Sequence, residues 1–217
     1  MIREMVERNS EFETPQLYDA GEENWLNKLH VGCGSIYLRG YENLDAQGFL
    51  ASDRPDLVAD NATIISDYYS RRSSYTSIHD IPPRPEIVAD RLCGMDALDY
   101  EHGTVDKIVC VQALEHVAPG VAEKVLEHWH DSMQRGGILI VSVPDTAVTI
   151  EMLLCEATRD FAVQHLAGTR RDKWSYHHNW FTHHSLELLL GQCRFELIEF
   201  LKNFHRYPAI VARAVRV

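Results

Sequence analysis

The chain has 217 residues, 45% of them hydrophobic and 24% charged. That length favours one domain, and folding it should bury roughly 70% of the extended surface, enough for a true core. Thirty-two acidic against 21 basic residues give a formal charge of -11. Such a field repels phosphate backbones, and the short mixed run Arg170-Arg171-Asp172-Lys173 does not offset it, so nucleic acid is not an expected partner.

Residues 1–27 read as a polar cap or lid, broken at Pro15 and Gly21 and closing in a short helical piece from Glu22 to Leu26. The rest, 28–217, reads as one domain with an insertion at 46–85. Lys28 to Val31 is a short strand running into Gly32, and Tyr41 to Leu44 a second one ending at Asp45. Within the insertion a helix is expected between about Ala62 and Tyr69, before Pro82-Pro83-Arg84-Pro85 forces an extended path. Loops of this length usually serve as lids or binding loops. Pro85 to Asp90 reads as the third strand.

Val105 to Gln112 (VDKIVCVQ) is β-branched and apolar enough to be a central strand buried on both faces. Val121, Val125, Leu126, Trp129 and Met133 recur at helical spacing over 120–134, and Arg135-Gly136-Gly137 supplies glycines to end that helix. Ile138 to Val143 follows as a buried parallel strand closed by Pro144-Asp145. A mixed helical stretch over 147–166 precedes a loop rich in Trp, Tyr and His. Thr182 is placed to cap a helix from His183 to Gln192 with Leu186, Leu189 and Leu190 inward. Phe195 to Leu201 and Pro208 to Val217 are the last strands, joined by too few residues for a crossover and therefore antiparallel.

The five cysteines, Cys33, Cys93, Cys110, Cys155 and Cys193, form no CxxC pair and sit mostly in apolar stretches, as reduced buried thiols do. No apolar run approaches the ~20 residues that cross a bilayer, and acids stand where a signal peptide would be apolar. A soluble, cytoplasmic protein with no membrane partner is expected. An exposed face on the insertion could pair subunits into a homo-oligomer.

The sharpest chemical signal is His30-Val31-Gly32-Cys33-Gly34 directly after a strand. Glycines there let the backbone turn tightly and approach a ligand with no Cβ in the way. Binding crevices of open α/β sheets form at the carboxyl ends of such strands. Asp45, eleven residues after Gly34 at the next strand tip, could accept both hydroxyl hydrogens of a ribose. A dinucleotide fingerprint would need glycine where Tyr37 stands, and an acid about 20 residues on. The alternative is a glycine turn with no ligand.

Lys28 to Asp45 (KLHVGCGSIYLRGYENLD) resembles the opening of the class I S-adenosylmethionine-dependent methyltransferases, in the small branch with a reduced first helix and a second strand reading G-Y-x-N-x-D. Val105 to Val117 and Gln134 to Asp145 resemble that family's fourth- and fifth-strand motifs. Phe181 to Leu186, with Cys193-Arg194-Phe195, resembles its F-T-x-x-S-L helix leading to the final hairpin. The resemblance covers about 28–45 and 86–217, with four motifs in order. It implies a Rossmann-like α/β fold, a mostly parallel seven-stranded sheet with a C-terminal antiparallel hairpin. It implies S-adenosylmethionine as cofactor and methyl transfer to a small polar acceptor, a sugar or natural-product intermediate.

On that reading the donor contacts are His30, Gly32, Cys33, Gly34, Tyr37 and Asp45, with Gln112 and Ala113 closing the fourth strand. Met95 and Asp96 would meet the adenine, and Asp90 competes with Asp96 for that role. Glu115, His116 and His178 are the catalytic candidates, an imidazole being able to take the acceptor's proton. No metal is expected, because the adjacent pairs His177-His178 and His183-His184 lack the i,i+4 arrangement that puts two ligands on one helix face. A nicotinamide-dependent oxidoreductase and a catalytically silent scaffold keeping the fold are the competing functions.

Overall fold

The computed structural model describes residues 19, 21–65, 68, 86–201 and 207–217. The readings on residues 1–18, on Tyr69 to Pro85 and on most of the final hairpin loop lie outside the described residues.

Seven strands build the main sheet: β1 (Lys28–Val31), β3 (Glu42–Asp45), β7 (Arg91–Leu92), β8 (Val105–Val111), β9 (Met133–Pro144), β10 (Phe195–Phe200) and β11 (Ala209–Arg216). Their order is β10-β11-β9-β8-β1-β3-β7. All neighbours run parallel except β11, which is antiparallel to both β9 and β10. The final pair is therefore the expected hairpin, inserted so that its second strand lies inside the sheet. This is a Rossmann-like α/β fold with the class I methyltransferase topology.

The apolar run of β8 explains its central place. Ile108 and Cys110 pack on one face with Val125, Leu126 and Trp129 of α2 (Ala122–Ser132) and Leu186 and Leu190 of α5 (His183–Gln192). Val109 and Val111 face the other way, toward Ile140, Val211, Leu38 and Tyr68. Successive strand side chains point to opposite faces, so only a continuous apolar run satisfies a strand covered on both sides. Thr182 caps α5 as expected: its hydroxyl accepts the Ser185 amide, and the Ser185 hydroxyl accepts the Thr182 amide.

Several local expectations are corrected. The insertion helix is α1 (Pro55–Asn61), not a helix from Ala62: Pro55 has its φ set for the first helical turn, and Ala62 is already extended. Ala62–Thr63 forms β5, pairing with β2 (Tyr37–Leu38), which stands where a first crossover helix would begin. The third strand divides, Val88–Ala89 (β6) pairing with Phe49–Leu50 (β4), and Arg91–Leu92 joining the main sheet. Helix α2 stops at Ser132 with Met133 extended, so Gly136, at φ 81, turns the chain after the helix has ended. The helical stretch after β9 is two helices, α3 (Thr146–Leu153) and α4 (Glu156–Ala167). No helix among the described residues is long and apolar enough to cross a membrane.

The described part of the expected cap is bolted to the amino end of β8, opposite the glycine loop. Leu26 and Asn27 amides donate to Asp106. Lys107, fully buried, reaches Asp19 at 2.8 Å and Glu22 at 2.7 Å, and Arg213 also pairs with Asp19. The Tyr41 hydroxyl donates to the other oxygen of Glu22.

Candidate functional site

The loop after β1 turns at two glycines with positive φ, 66° at Gly32 and 56° at Gly34. A Cβ on Gly32 would lie 2.4 Å from the Ala113 Cβ and 3.8 Å from the Met95 methyl. Glycine is thus required twice over, for its conformation and for its closeness to the tip of β8. The Gly34 amide donates to Asp45 Oδ2 at 2.9 Å and the Gln47 amide to Oδ1 at 3.1 Å. Asp45 therefore braces the loop through two backbone amides, one on each carboxylate oxygen. Gly32, Gly34, Asp45, Met95 and Ala113 therefore gather at the carboxyl ends of β1, β3 and β8.

Asp96 is exposed on a turn beside this collar, held where Trp129 donates its indole N–H to the Met95 carbonyl at 2.9 Å. Its rival Asp90 is committed elsewhere, accepting from the Tyr37 hydroxyl at 2.6 Å and from the Asn43 amide at 2.7 Å. Gln112 takes φ 54° and donates its side-chain amide to Ser142 at 3.1 Å, tying the tips of β8 and β9.

Three donor expectations need correction at the side-chain level. His30 is fully buried, with Nδ1 3.0 Å from Asn43 and Nε2 2.9 Å from the Tyr68 hydroxyl. Strand alternation turns it to the face opposite Leu29 and Val31, so it braces the core. The Cys33 thiol is buried against Ile87 and Ala89, 3.6 Å from the Val88 carbonyl, leaving only its backbone in the loop. Tyr37 points to Asp90; burial, then that hydrogen bond, pushes its phenol up to about 12.

Of the catalytic candidates, Glu115 and His116 lie side by side, and His178 reaches them only through its backbone amide. Glu115 and His116 lie on the 3-10 turn Leu114–His116 that follows β8. Backbone amides of His178 and Asn179 donate to the Glu115 carbonyl at 2.8 and 3.1 Å, and the Asn179 side chain donates to the Val117 carbonyl at 2.7 Å. So pinned, the loop presents His177 inward. Its Nε2 lies 4.0 Å from the buried Glu115 carboxylate, whose same oxygen is 3.8 Å from His116 Nε2. The two imidazoles meet edge to face at 4.7 Å. His178 is exposed and stacks beside Tyr176 at 6.3 Å. Alternation in an extended loop explains why one neighbour enters and the other leaves, and no periodicity in the sequence identifies which.

Burial, chiefly, and the nearby His116 hold the His177 imidazole down at about 3, so it is neutral near pH 7. Its placement depends on Gly168, at φ 76°, where a Cβ would sit 2.0 Å from the Ser175 carbonyl and 3.0 Å from His177. Gly168→Ala is expected to push the 175–178 segment off α4, lowering the melting temperature by several degrees, about 2–4 °C per kcal/mol, in a calorimetric scan.

Asp145 caps α3 by accepting the Val148 amide at 3.2 Å and lies 3.6 Å from His183 Nδ1. Of the His pairs, only His177 joins the Glu115–His116 group; Glu115, His116 and His177 could together hold a metal ion.

Among solved structures, the chain is similar to an S-adenosylmethionine-dependent methyltransferase from Methanosarcina mazei, with 17% identity, a TM-score of 0.53, and 93% of this chain and 98% of that chain covered. A second, an S-adenosylmethionine-dependent methyltransferase from Mesorhizobium loti, is 14% identical with a TM-score of 0.49, covering 88% of this chain and 91% of that one. Magnesium protoporphyrin IX methyltransferase from Synechocystis, solved with S-adenosylhomocysteine bound, is 14% identical with a TM-score of 0.46, covering 91% and 78%. The first of these carries the shared fold. No family model and no curated protein sequence matches the chain.

Proposed function

We propose that this protein is a methyltransferase that moves the methyl group of S-adenosylmethionine to an oxygen or nitrogen of a small polar acceptor, a sugar or natural-product intermediate. The observation that carries this reading is the collar: Gly32 folded against Ala113, with Gly34 bonded to the Asp45 carboxylate at the next strand tip. A backbone stripped of Cβ can lie against the methionyl part, while Asp45 takes the ribose hydroxyls and Met95 packs on the adenine with Asp96 beside it.

Transfer is an in-line displacement, favoured by holding donor carbon and acceptor within ~3–3.5 Å. The acceptor attacks the methyl carbon, the C–S bond breaks with its electron pair going to sulfur, and the sulfonium charge disappears. A hydroxyl or ammonium acceptor must also lose a proton, for which His116, three residues after Ala113 and backed by Glu115, is the candidate base. Exposed Trp174, Tyr176, His178 and Trp180 supply flat faces and donors suited to a polar ring. The net charge of -11 favours small molecules over nucleic acid as partners, in a cytoplasmic setting.

Calorimetric titration with S-adenosylhomocysteine and, separately, NAD tests the reading. Saturable S-adenosylhomocysteine binding is expected, reduced about 10- to 100-fold in Asp45→Asn with the melting temperature nearly kept, since each lost charged hydrogen bond is worth about 1.5–3 kcal/mol. Binding of NAD alone would favour the oxidoreductase. Donor binding without S-adenosylhomocysteine release across pooled sugar acceptors would favour the silent scaffold.

A further inference from the structure

We infer that His183, oriented by Asp145, is the residue that takes the proton of an acceptor hydroxyl. This places the acceptor over the tips of β9 and α5 and not on the Glu115–His116 turn. It rests on the methyl-transfer reading and adds to it a location and a base.

Asp145 is buried and fixed on every side but one. Its amide donates to the Pro208 carbonyl at 3.1 Å, and its own carbonyl accepts the Thr149 amide at 3.0 Å and the Thr149 hydroxyl. Its Oδ1 accepts the Val148 amide at 3.2 Å at the start of α3. Oδ2 is left for His183, 3.6 Å from Nδ1. The imidazole also meets the Phe200 ring edge to face at 4.7 Å. Among the described residues nothing hydrogen-bonds its Nε2, and the side chain is 54% exposed. His116 differs: both its ring nitrogens face protein oxygens, the Tyr176 carbonyl at 2.9 Å and the Glu115 carboxylate at 3.8 Å.

The pair stands one strand from the collar. Val111 pairs with Ser142, so Ala113 and Asp145 leave the same edge of the sheet on neighbouring strands, which lie about 4.8 Å apart. Asp145 also bridges to Phe181, whose carbonyl accepts the Thr146 amide at 2.9 Å. Phe181 packs in the same core cluster as Ala113 and Leu114. The first turn of α5 therefore begins on the face of the sheet that carries Ala113.

A carboxylate only accepts, so an imidazole beside it carries its proton on Nδ1 and offers a bare Nε2. In the reaction the hydroxyl proton passes to Nε2 as the acceptor oxygen attacks the methyl carbon, and the C–S bond breaks with its electron pair going to sulfur. Asp145 balances the imidazolium, which then gives its proton to water. At 3.6 Å the contact is longer than a hydrogen bond, as such contacts often are before substrate closes the site.

Two measurements test this. The first needs no acceptor: long-range 1H–15N correlation spectra of the 15N-labelled full chain read which ring nitrogen is protonated, with the His183 signals identified by their loss in His183→Gln. Nδ1–H is expected in the wild type and Nε2–H in Asp145→Ala. A wild-type His183 protonated mainly on Nε2 overturns the proposal, whether or not Asp145→Ala folds. The second is S-adenosylhomocysteine release across the pooled sugar acceptors. His183→Ala should lower the rate by at least about 100-fold with S-adenosylhomocysteine affinity kept within about twofold, and added imidazole should restore the rate about tenfold or more. His184→Ala, whose side chain is exposed, should keep the wild-type rate. A His183→Ala rate near wild type, or a lost rate that imidazole does not restore, overturns the assignment. Bound donor without release by the wild type, the silent-scaffold outcome, overturns it as well. No donor binding at all, with His183 protonated on Nδ1, would remove the methyltransferase reading and leave the Asp145–His183 pair standing.

Discussion

Gly32→Val should weaken S-adenosylhomocysteine binding by at least about 100-fold, measured by calorimetric titration. Two effects combine at this position. A β-branched residue at φ 66° is a strong conformational outlier, and for ordinary residues the left-handed region costs about 1–2 kcal/mol. The new Cβ would also fall 2.4 Å from the Ala113 Cβ, well inside the ~3.5–4 Å at which carbons pack. Relief requires the loop to lift off β8, which moves the Gly34 amide away from Asp45 and opens the collar. Gly40→Ala is the matched control: φ is 81°, yet nothing lies within 4 Å of its added Cβ. It should carry the conformational cost alone, near 1 kcal/mol, and leave donor affinity unchanged. Equal losses in both variants would mean that backbone strain, not the approach to β8, governs this loop.

The second large effect is expected far from the collar. Lys107→Met should destabilise the protein by about 3 kcal/mol or more, because the fully buried Glu22 would lose its 2.7 Å ammonium partner and keep only the more distant Lys28, at 3.8 Å. For a chain of this size that corresponds to a fall of roughly 6 °C or more in melting temperature. Desolvation pulls the Lys107 pKa down while Glu22 pulls it up, the balance that makes a buried pair costly to halve. Arg213 remains beside Asp19 in the variant, so the double change Lys107→Met with Glu22→Gln should recover much of the loss. A Lys107→Met protein melting within 2 °C of the parent would show that Asp19 and Glu22 are not fastened through this network. The Arg54–Asp56 pair offers the contrast: it is exposed at the surface, and its removal should leave the melting temperature unchanged.

Much of the architecture was readable because it is written in local patterns. The apolar run Ile108 to Val111 of β8 gave a strand covered on both faces, the stripe through Trp129 gave α2, and Thr182 gave a capped helix start. Gly32, Gly34 and Asp45 were legible as a unit because a turn that needs glycine and a strand-end acid are both short-range demands. The insertion misled, since Ala62 and its neighbours have no pattern that distinguishes helix from extended chain, and the start at Pro55 was the better signal.

Side-chain destinations were the less legible part. His30 sits in the middle of the glycine motif, yet alternation sends it to Asn43 and Tyr68 on the far face. Tyr37 is three residues beyond Gly34, at the start of β2, and Asp90 holds it. Lys107 is a lone cation in an apolar strand whose partners, Asp19 and Glu22, are more than 80 residues distant in sequence.

By itself the sequence determined the α/β class of the fold, the chain order of its longest strands and helices and the glycine turn at the first strand, because each follows from periodicity or from backbone geometry within a few residues. The tertiary structure alone decided that His177 rather than His178 faces Glu115 and His116. That choice is made by hydrogen bonds from the 177–179 segment to the 115–117 turn, contacts between segments some 60 residues apart that no local pattern encodes.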